Sequence, residues 1–291
     1  MPVVISEELV LSAVSVQLNT PVFLWRSYVT PSLIEAGLVN TPTTDPTDPD
    51  FPEANMAGAT TETRWQVETA FLMDDLFVRI DLDGLREVDS LGIAQHNLGT
   101  NQRIVQVFGA TVEDSNGDPI YFEIVEQHIF ANDEPLLFEF VGANYISLKL
   151  VLTSAYQDTE PTYISVVYAG KLLRCERGTH TDHVPINDGR KTQNAINMSE
   201  SGRFLGKIVL ASKVETTFGL KFLRSTWFRD EMRPFLLAAE TTPFFFAWKP
   251  QEFPNDIGYC WLTENPRPSV HFDTGRIELT LAMSGIAGPP T

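Results

Sequence analysis

The run TTPFFFAWKPQEFP, Thr241–Pro254, places four phenylalanines and a tryptophan in a strand-length stretch with no side chain suited to bond-breaking chemistry. Each such ring takes roughly 150 to 250 Å2 out of water when it packs, so the segment must be built into a core. In an extended chain, Phe244, Phe246 and Trp248 share one face, and Phe245, Ala247 and Lys249 share the other. The first face is expected to cover a helix, and the second to remain open to a neighbouring subunit. After the turn-like Pro254-Asn255-Asp256, the segment Ile257–Thr263 (IGYCWLT) reads as an adjacent antiparallel strand. Trp227, Phe244, Phe245, Phe246, Trp248 and Trp261 are the residues expected to carry core or subunit packing.

At 291 residues, with 43% hydrophobic and 20% charged content, the chain is long enough for two packed domains. No stretch approaches the ~18 consecutive apolar residues of a membrane span. The start, MPVVISEELV, lacks the basic and apolar regions of a secretory signal, so synthesis in a cytosol is expected. Cys175 and Cys260 have no CxxC partner and read as reduced, buried thiols. Residues 1–170 hold 25 Asp/Glu against 6 Lys/Arg, whereas residues 171–291 hold 13 against 15. The asymmetry marks a domain boundary, and the acidic half argues against nucleic acid as a ligand.

The first half reads as all-β. FVRIDLDG sets Val78, Ile80 and Leu82 on one face, and YISLKLVLT does the same with Ile146, Leu148, Leu150 and Leu152. RIVQVFGATV, YFEIVEQHIF, PLLFEF and TYISVVYAGKLL are further strand-length segments, and Asn116-Gly117 signals a type I′ hairpin. Short strands with turns between them predict an antiparallel sandwich over 1–170. Before them, TPTTDPTDPDFPEANMAGATTETRW is proline- and aspartate-rich and reads as an exposed loop. Residues 171–197 read as a linker or crossover. In 198–291, Leu223 to Glu240 has helical spacing with Pro234 expected to kink or restart it. GRIELTLAMSGI alternates Ile277, Leu279, Leu281 and Met283 on one face, so this part reads as α+β: one helix on a mainly antiparallel sheet.

The residues with chemical potential form no convincing constellation. His180 and His183 flank Asp182, but no third ligand follows at zinc spacing, and a solvated linker is the blander reading. His96 precedes a turn-like Asn97 and reads as a side chain bonded to that turn instead of a general base. Asp74-Asp75, Asp81/Asp83 and Asp133-Glu134 resemble glycosidase pairs only as far as chance allows in so acidic a half. Asp45, Asp48 and Asp50 offer oxygen ligands for calcium without the spacing of an EF-hand loop. There is no GxSxG, HExxH, Walker or Rossmann motif. No catalytic residue, metal or cofactor is assigned.

Two resemblances stand beside this reading. From Arg64-Trp65 through IDLDG and VDSLGIAQHNLGT, the chain resembles the discoidin-like, galactose-binding-like β-sandwich, or jelly roll. Over about residues 20 to 285, SLGIAQHNLGT, ISVVYAGKLLRCERG, NMSESGRFLG, FRDEMRPFLLAAETTPFFFAWKP and IGYCWLT resemble tailed-bacteriophage virion proteins of the tail tip or baseplate. The second half is similar to the ring-forming domain of distal tail proteins. Val67 to Asp75 lacks an evident ligand motif, so the resemblance does not carry sugar binding over to named residues there.

The resemblance implies a cyclic homo-oligomer, hexamer or trimer, in contact with the tail tube and tail-tip hub of a virion assembled in a bacterial cytoplasm. It also implies a projecting sandwich that holds host-surface carbohydrate. Trp25, Tyr28 and Trp65 are the aromatic candidates for that role, with core packing as the alternative for each. Three functions are expected to compete: a tail-tip component with glycan adhesion, a purely architectural adaptor, and a glycan-cleaving virion enzyme.

Overall fold

A computed structural model describes residues 3–7, 9, 20–155, 160–179, 183–271 and 274–286. The first strands are β1 (Val3–Ile5), β2 (Val22–Leu24), β3 (Ile34–Leu38), β4 (Trp65–Gln66), β5 (Leu76–His96), β6 (Ile104–Glu113), β7 (Pro119–Ile129), β8 (Leu136–Thr153) and β9 (Tyr163–Gly170). They are followed by β10 (Leu173–Arg174), β11 (Arg190–Met198), β12 (Phe204–Leu223), β13 (Phe244–Ala247), β14 (Ile257–Leu262), β15 (Ser269–Val270) and β16 (Ile277–Ile286). The fold is mainly β, with a largely antiparallel sandwich and an α+β unit, as the alternation of apolar residues predicts.

In the sandwich, β5 and β8 are long enough to run through both layers. Leu76–Ile80 pairs with β3 and Leu76–Asp81 with the second half of β8, whereas Ser90–His96 pairs with β9, and Ser90–Ile93 also with the first half of β8. The ladder breaks between Asp81 and Arg86, where Gly84 takes a φ of 77° and the ribbon bends into the other layer. PLLFEF and YISLKLVLT, expected as two strands, are therefore one. β6 and β7 extend the first layer, and β4 and β1 flank the second, with β1 the parallel partner of β8. Between the layers lie Val78, Ile80, Leu91, Ile93, Val105, Phe138, Leu148 and Leu150.

The hairpin expected at Asn116-Gly117 forms, but its turn is not type I′. The Gly117 N–H donates to the Asp114 carbonyl and only Gly117 has positive φ (87°), giving a type I turn closed by a left-handed glycine. Asp114 selects it, since Oδ1 accepts from the Asn116 and Asp118 N–H groups at 2.7 and 3.0 Å.

The second sheet runs β10-β2-β13-β14-β16-β12-β11. Its membership departs from the boundaries expected at residues 170 and 197: Val22–Leu24 pairs with β13, and residues 173–174 and 190–198 are strands, not linker. The expected helix is present as α1 (Ser225–Trp227), a π turn over Phe228–Met232, and α2 (Arg233–Ala239). Pro234 stands in the first turn of α2, where a missing N–H costs little, so a second short segment restarts at the proline after the wider π turn. Phe228, Met232, Phe235, Leu236 and Ala239 pack on Phe23, Phe218, Phe244, Phe246, Leu279 and Leu281. Cys175 and Cys260 are free and buried beside them, and burial pushes both thiols up, Cys260 to about 12.

Both faces of β13 are buried within one chain. The face expected to await a neighbouring subunit is covered by the outer side of the second sandwich layer: Phe245 and Ala247 pack with Ala94, Leu137, Val166 and Tyr168. Phe245 lies against Gly92, where a Cβ would come within 2.7 Å of the ring. Trp227 and Trp248 are partly buried on the opposite face, whereas Trp261, 38% exposed, is not a core residue. Phe245→Ala is expected to lower the unfolding free energy by about 3 to 5 kcal/mol in urea titrations. The same change at half-exposed Phe253 should cost much less, and equal small losses would mean that the seam does not hold the layers.

Candidate functional site

Of the three aromatic candidates, Trp25 and Tyr28 meet and Trp65 does not join them. Trp65 is fully buried in the sandwich core, and its indole N–H donates to Thr47 Oγ1 at 3.0 Å, so no ligand can reach it. Trp25 follows directly on β2 and leans on Phe235 of α2, with ring centroids 6.2 Å apart. The chain then crosses to the sandwich, where the Tyr28 N–H donates to the Ala169 carbonyl at 2.8 Å. Tyr28 packs on the sandwich core and Trp25 on the core of the α+β unit, so the two rings line the cleft between the sandwich and the helix.

The cleft is about 280 Å3. Besides the rings it is lined by Arg26, Glu87, Lys171, Asp230, Glu231 and Pro234. Arg26 lies 4.8 Å from the Trp25 ring centre, Arg86 lies 5.6 Å from that of Tyr28, and Lys171 pairs with Glu87 at 2.7 Å. Donors and acceptors thus ring two partly exposed aromatic faces, an arrangement that can hold a small polyhydroxylated ligand. The charged lining was not legible in the sequence, because it comes from four separate segments.

The other chemical candidates serve structure. Asp133 accepts from the Gly99 and Thr100 N–H groups at 2.9 Å each, and from the Thr100 hydroxyl at 2.6 Å. Asp75 Oδ1 accepts from the Ser154 N–H, and Asp81 pairs with Arg79. Asp45 and Asp48 accept from the N–H groups of Thr47 and Asp50, which makes them turn residues. His183 Nδ1 meets the Thr217 carbonyl and its ring packs 4.6 Å from Trp248; His180 and Asp182 lie outside the described residues. No group of three or more His, Cys, Asp or Glu able to hold a metal occurs among the described residues. No helix among them is long and apolar enough to cross a membrane.

His96 is buried, with Nε2 2.8 Å from the Glu134 carbonyl and Nδ1 accepting from the Leu98 N–H. That pattern requires the neutral ring, and burial holds its pKa down at about 4. Asp89 goes the other way. Burial at the seam pushes it up to about 6, although its Oδ1 accepts from the Leu172 N–H at 2.7 Å.

No family model and no curated protein matches the chain. Among solved structures it is similar to chitosan-binding module 1 of a chitosanase/glucanase from Paenibacillus sp. IK-5. That similarity has a TM-score of 0.39 and 7% identity, over 50% of this chain and 99% of that one. It is also similar to a pectin-binding carbohydrate-binding module, with TM-score 0.35 and 15% identity over 50% and 93% of the two chains. A third is the family 32 module of NanJ from C. perfringens, solved with galactose, with TM-score 0.36 and 13% identity over 49% and 97%.

The two buried groups give opposite pH dependence. The folded His96 pKa lies below its ordinary 6.5, so the stability tied to it is complete above that pH and is lost as pH falls toward 4. The full loss is about 3 kcal/mol at roughly 1.4 kcal/mol per unit. Asp89 is raised, so its neutral form favours the fold, and stability is gained as pH falls from about 6 toward its ordinary 3.8. In urea unfolding between pH 8 and 4, His96→Gln should flatten the acid loss and Asp89→Asn should steepen it. Parallel curves for all three proteins would rule out both assignments.

Proposed function

We propose that this chain is a structural, non-catalytic component of a bacteriophage tail tip or baseplate. It assembles as a cyclic homo-oligomer and holds host-surface carbohydrate weakly in the Trp25–Tyr28 cleft. The observation that carries the assembly reading is the hairpin of β11 and β12. From Phe204 to Lys213, β12 pairs with β11 alone, and it joins β16 only from Val214 onward. Ile196, Met198, Phe204, Leu205, Ile208, Val209 and Leu210 are between 56% and 67% exposed along this arm. Adjacent residues of a strand point to opposite faces, so apolar side chains stand on both sides, and an apolar surface of that kind marks an interaction site.

The partner that fits is a second copy of the chain. Arg190, Lys191, Arg203, Lys207 and Lys213 make the arm basic against Glu200 alone, with Lys191 and Lys213 paired to Glu215 at its root, while residues 1–170 carry 25 acids and 6 bases. An arm of one sign clasping a body of the other is a head-to-tail contact, which generates a ring when the rotation closes. The virion assignment rests on the resemblance of stretches such as NMSESGRFLG, at the tip of this same arm, to tail-tip proteins. In the cleft, ring faces can stack on sugar C–H surfaces while the charged neighbours exchange hydrogen bonds with hydroxyls, and a ring of weak sites multiplies avidity. The lean of Trp25 on Phe235 favours the second reading, an architectural adaptor whose cleft only braces the helix.

Sedimentation and negative-stain imaging of the purified chain are expected to show a closed ring that loosens at high salt. Combined Phe204→Ser, Ile208→Ser and Leu210→Ser changes should yield a folded monomer with unchanged circular dichroism. A wild-type monomer at high micromolar concentration would end the assembly reading. On a glycan array, Trp25→Ala and Tyr28→Ala should each abolish binding, and retention of binding by both would leave the architectural reading.

A further inference from the structure

A second pocket of about 280 Å3 opens at the β4–β9 edge of the sandwich, away from the Trp25–Tyr28 cleft. Its distinctive member is Arg64. The guanidinium carbon lies 5.1 Å from the ring centre of Phe51 and 4.7 Å from that of Tyr163, so the group bridges two aromatic side chains. The backbone behind it is fixed. The Arg64 carbonyl accepts from Asn55 Nδ2 at 2.8 Å, and the next residues bond back to the loop through Gln66 N–H to Phe51 O and Asp48 N–H to Gln66 O.

What this guanidinium lacks is an anion. Residues 1–170 contain only 6 cationic side chains among 25 carboxylates. Arg79 and Arg86 both pair with carboxylates, yet Arg64 has no carboxylate within salt-bridge distance among the described residues. Its Nε is shielded from solvent and has no hydrogen-bond partner. Asp50 and Glu62 line the same pocket without closing on it. Gln95, also in the lining, holds a left-handed φ of 54°, an uncommon backbone state for a residue other than glycine.

We infer that the Phe51–Arg64–Tyr163 pocket binds the carboxylate of an acidic sugar, a uronate residue. A guanidinium immobilised between rings presents a planar fork that matches a carboxylate with two parallel hydrogen bonds. The flanking carboxylates set the rest of the class. They repel a dianion such as phosphate more strongly than a monoanion, and they accept hydrogen bonds from hydroxyls. A ligand that satisfies all three groups carries one negative charge and several hydroxyls. The volume lies at the lower end of small-molecule sites and suits one sugar ring better than a long oligomer. The site is independent of self-association, and it deepens the carbohydrate part of the proposed function by assigning an acidic class to a location separate from Trp25.

The test is calorimetric titration of the full chain with a disaccharide ending in glucuronate, and with the same disaccharide whose carboxylate has been reduced to the alcohol. The glucuronate form is expected to bind, the reduced form to bind about tenfold or more weakly, and inorganic phosphate to compete poorly. Arg64→Gln should lose about tenfold or more in affinity and Arg64→Lys should keep part of it, with urea midpoints confirming that both fold. Trp25→Ala should leave glucuronate binding unchanged, which separates this site from the cleft. The inference is overturned if Arg64→Gln binds as the wild type does, if the reduced disaccharide binds equally well, if phosphate binds more tightly, or if the wild type shows no uptake.

Discussion

The packing of Phe245 onto Gly92 is the contact on which the rest of the molecule depends. It turns β13 into a strand buried on both sides, with the sandwich on one face and the helix on the other. Phe245 meets the rings of Tyr168 and Tyr259 at centroid distances of 5.6 and 5.0 Å. Both phenols remain satisfied, because Tyr168 donates to the Pro243 carbonyl and Tyr259 to that of Ala59. A side chain at position 92 would force the ring away, so the absence of a Cβ there is a packing requirement. On the opposite face Phe23, brought in by β2, packs 4.6 Å from Phe235 and 5.0 Å from Phe246. An N-terminal strand thus lies at the centre of the C-terminal sheet's core, and the two halves share their hydrophobic contacts.

Charge is arranged around this seam as deliberately as the rings are. Glu139 is fully buried and pairs with Arg174 at 2.6 Å, close to Asp89. Burial raises Glu139 while the arginine opposes the rise. Such a pair adds little net stability once desolvation is counted, but either partner left alone would be costly, which ties β10 to β8 in one register. Farther out, the sandwich carries most of the negative charge and the β11–β12 arm carries a concentrated positive charge.

Much of the fold was legible in the sequence because a strand of period two writes its buried face into the chain. Val78, Ile80, Leu82, Leu148, Leu150 and Leu152 are buried, as are Ile277, Leu279, Leu281 and Met283. The helix and the pairing of the aromatic run with Ile257–Leu262 were legible for the same reason. The site was less so. Trp25 and Tyr28 stand out as aromatics near a strand, but Trp65 has the same local appearance and is a core residue. Arg64 and Tyr163 are 99 positions apart in the chain, and nothing local announces that a guanidinium will bridge their neighbourhood.

By itself, then, the sequence determined the periodicities, the charge split between its halves and the necessity of burying the Phe244–Phe246 run, since these follow from side-chain chemistry and strand geometry alone. Only the tertiary structure decided what covers each face. The exchange of β2 into the second sheet, the seating of Phe245 on the sandwich, the exposure of both faces of the arm and the lack of an ion-pair partner for Arg64 among the described residues all depend on long-range neighbours. The physical reason is that hydrophobicity is non-directional. It requires that apolar surface be removed from water, while the choice between another part of the same chain and a second copy rests on which surfaces fit.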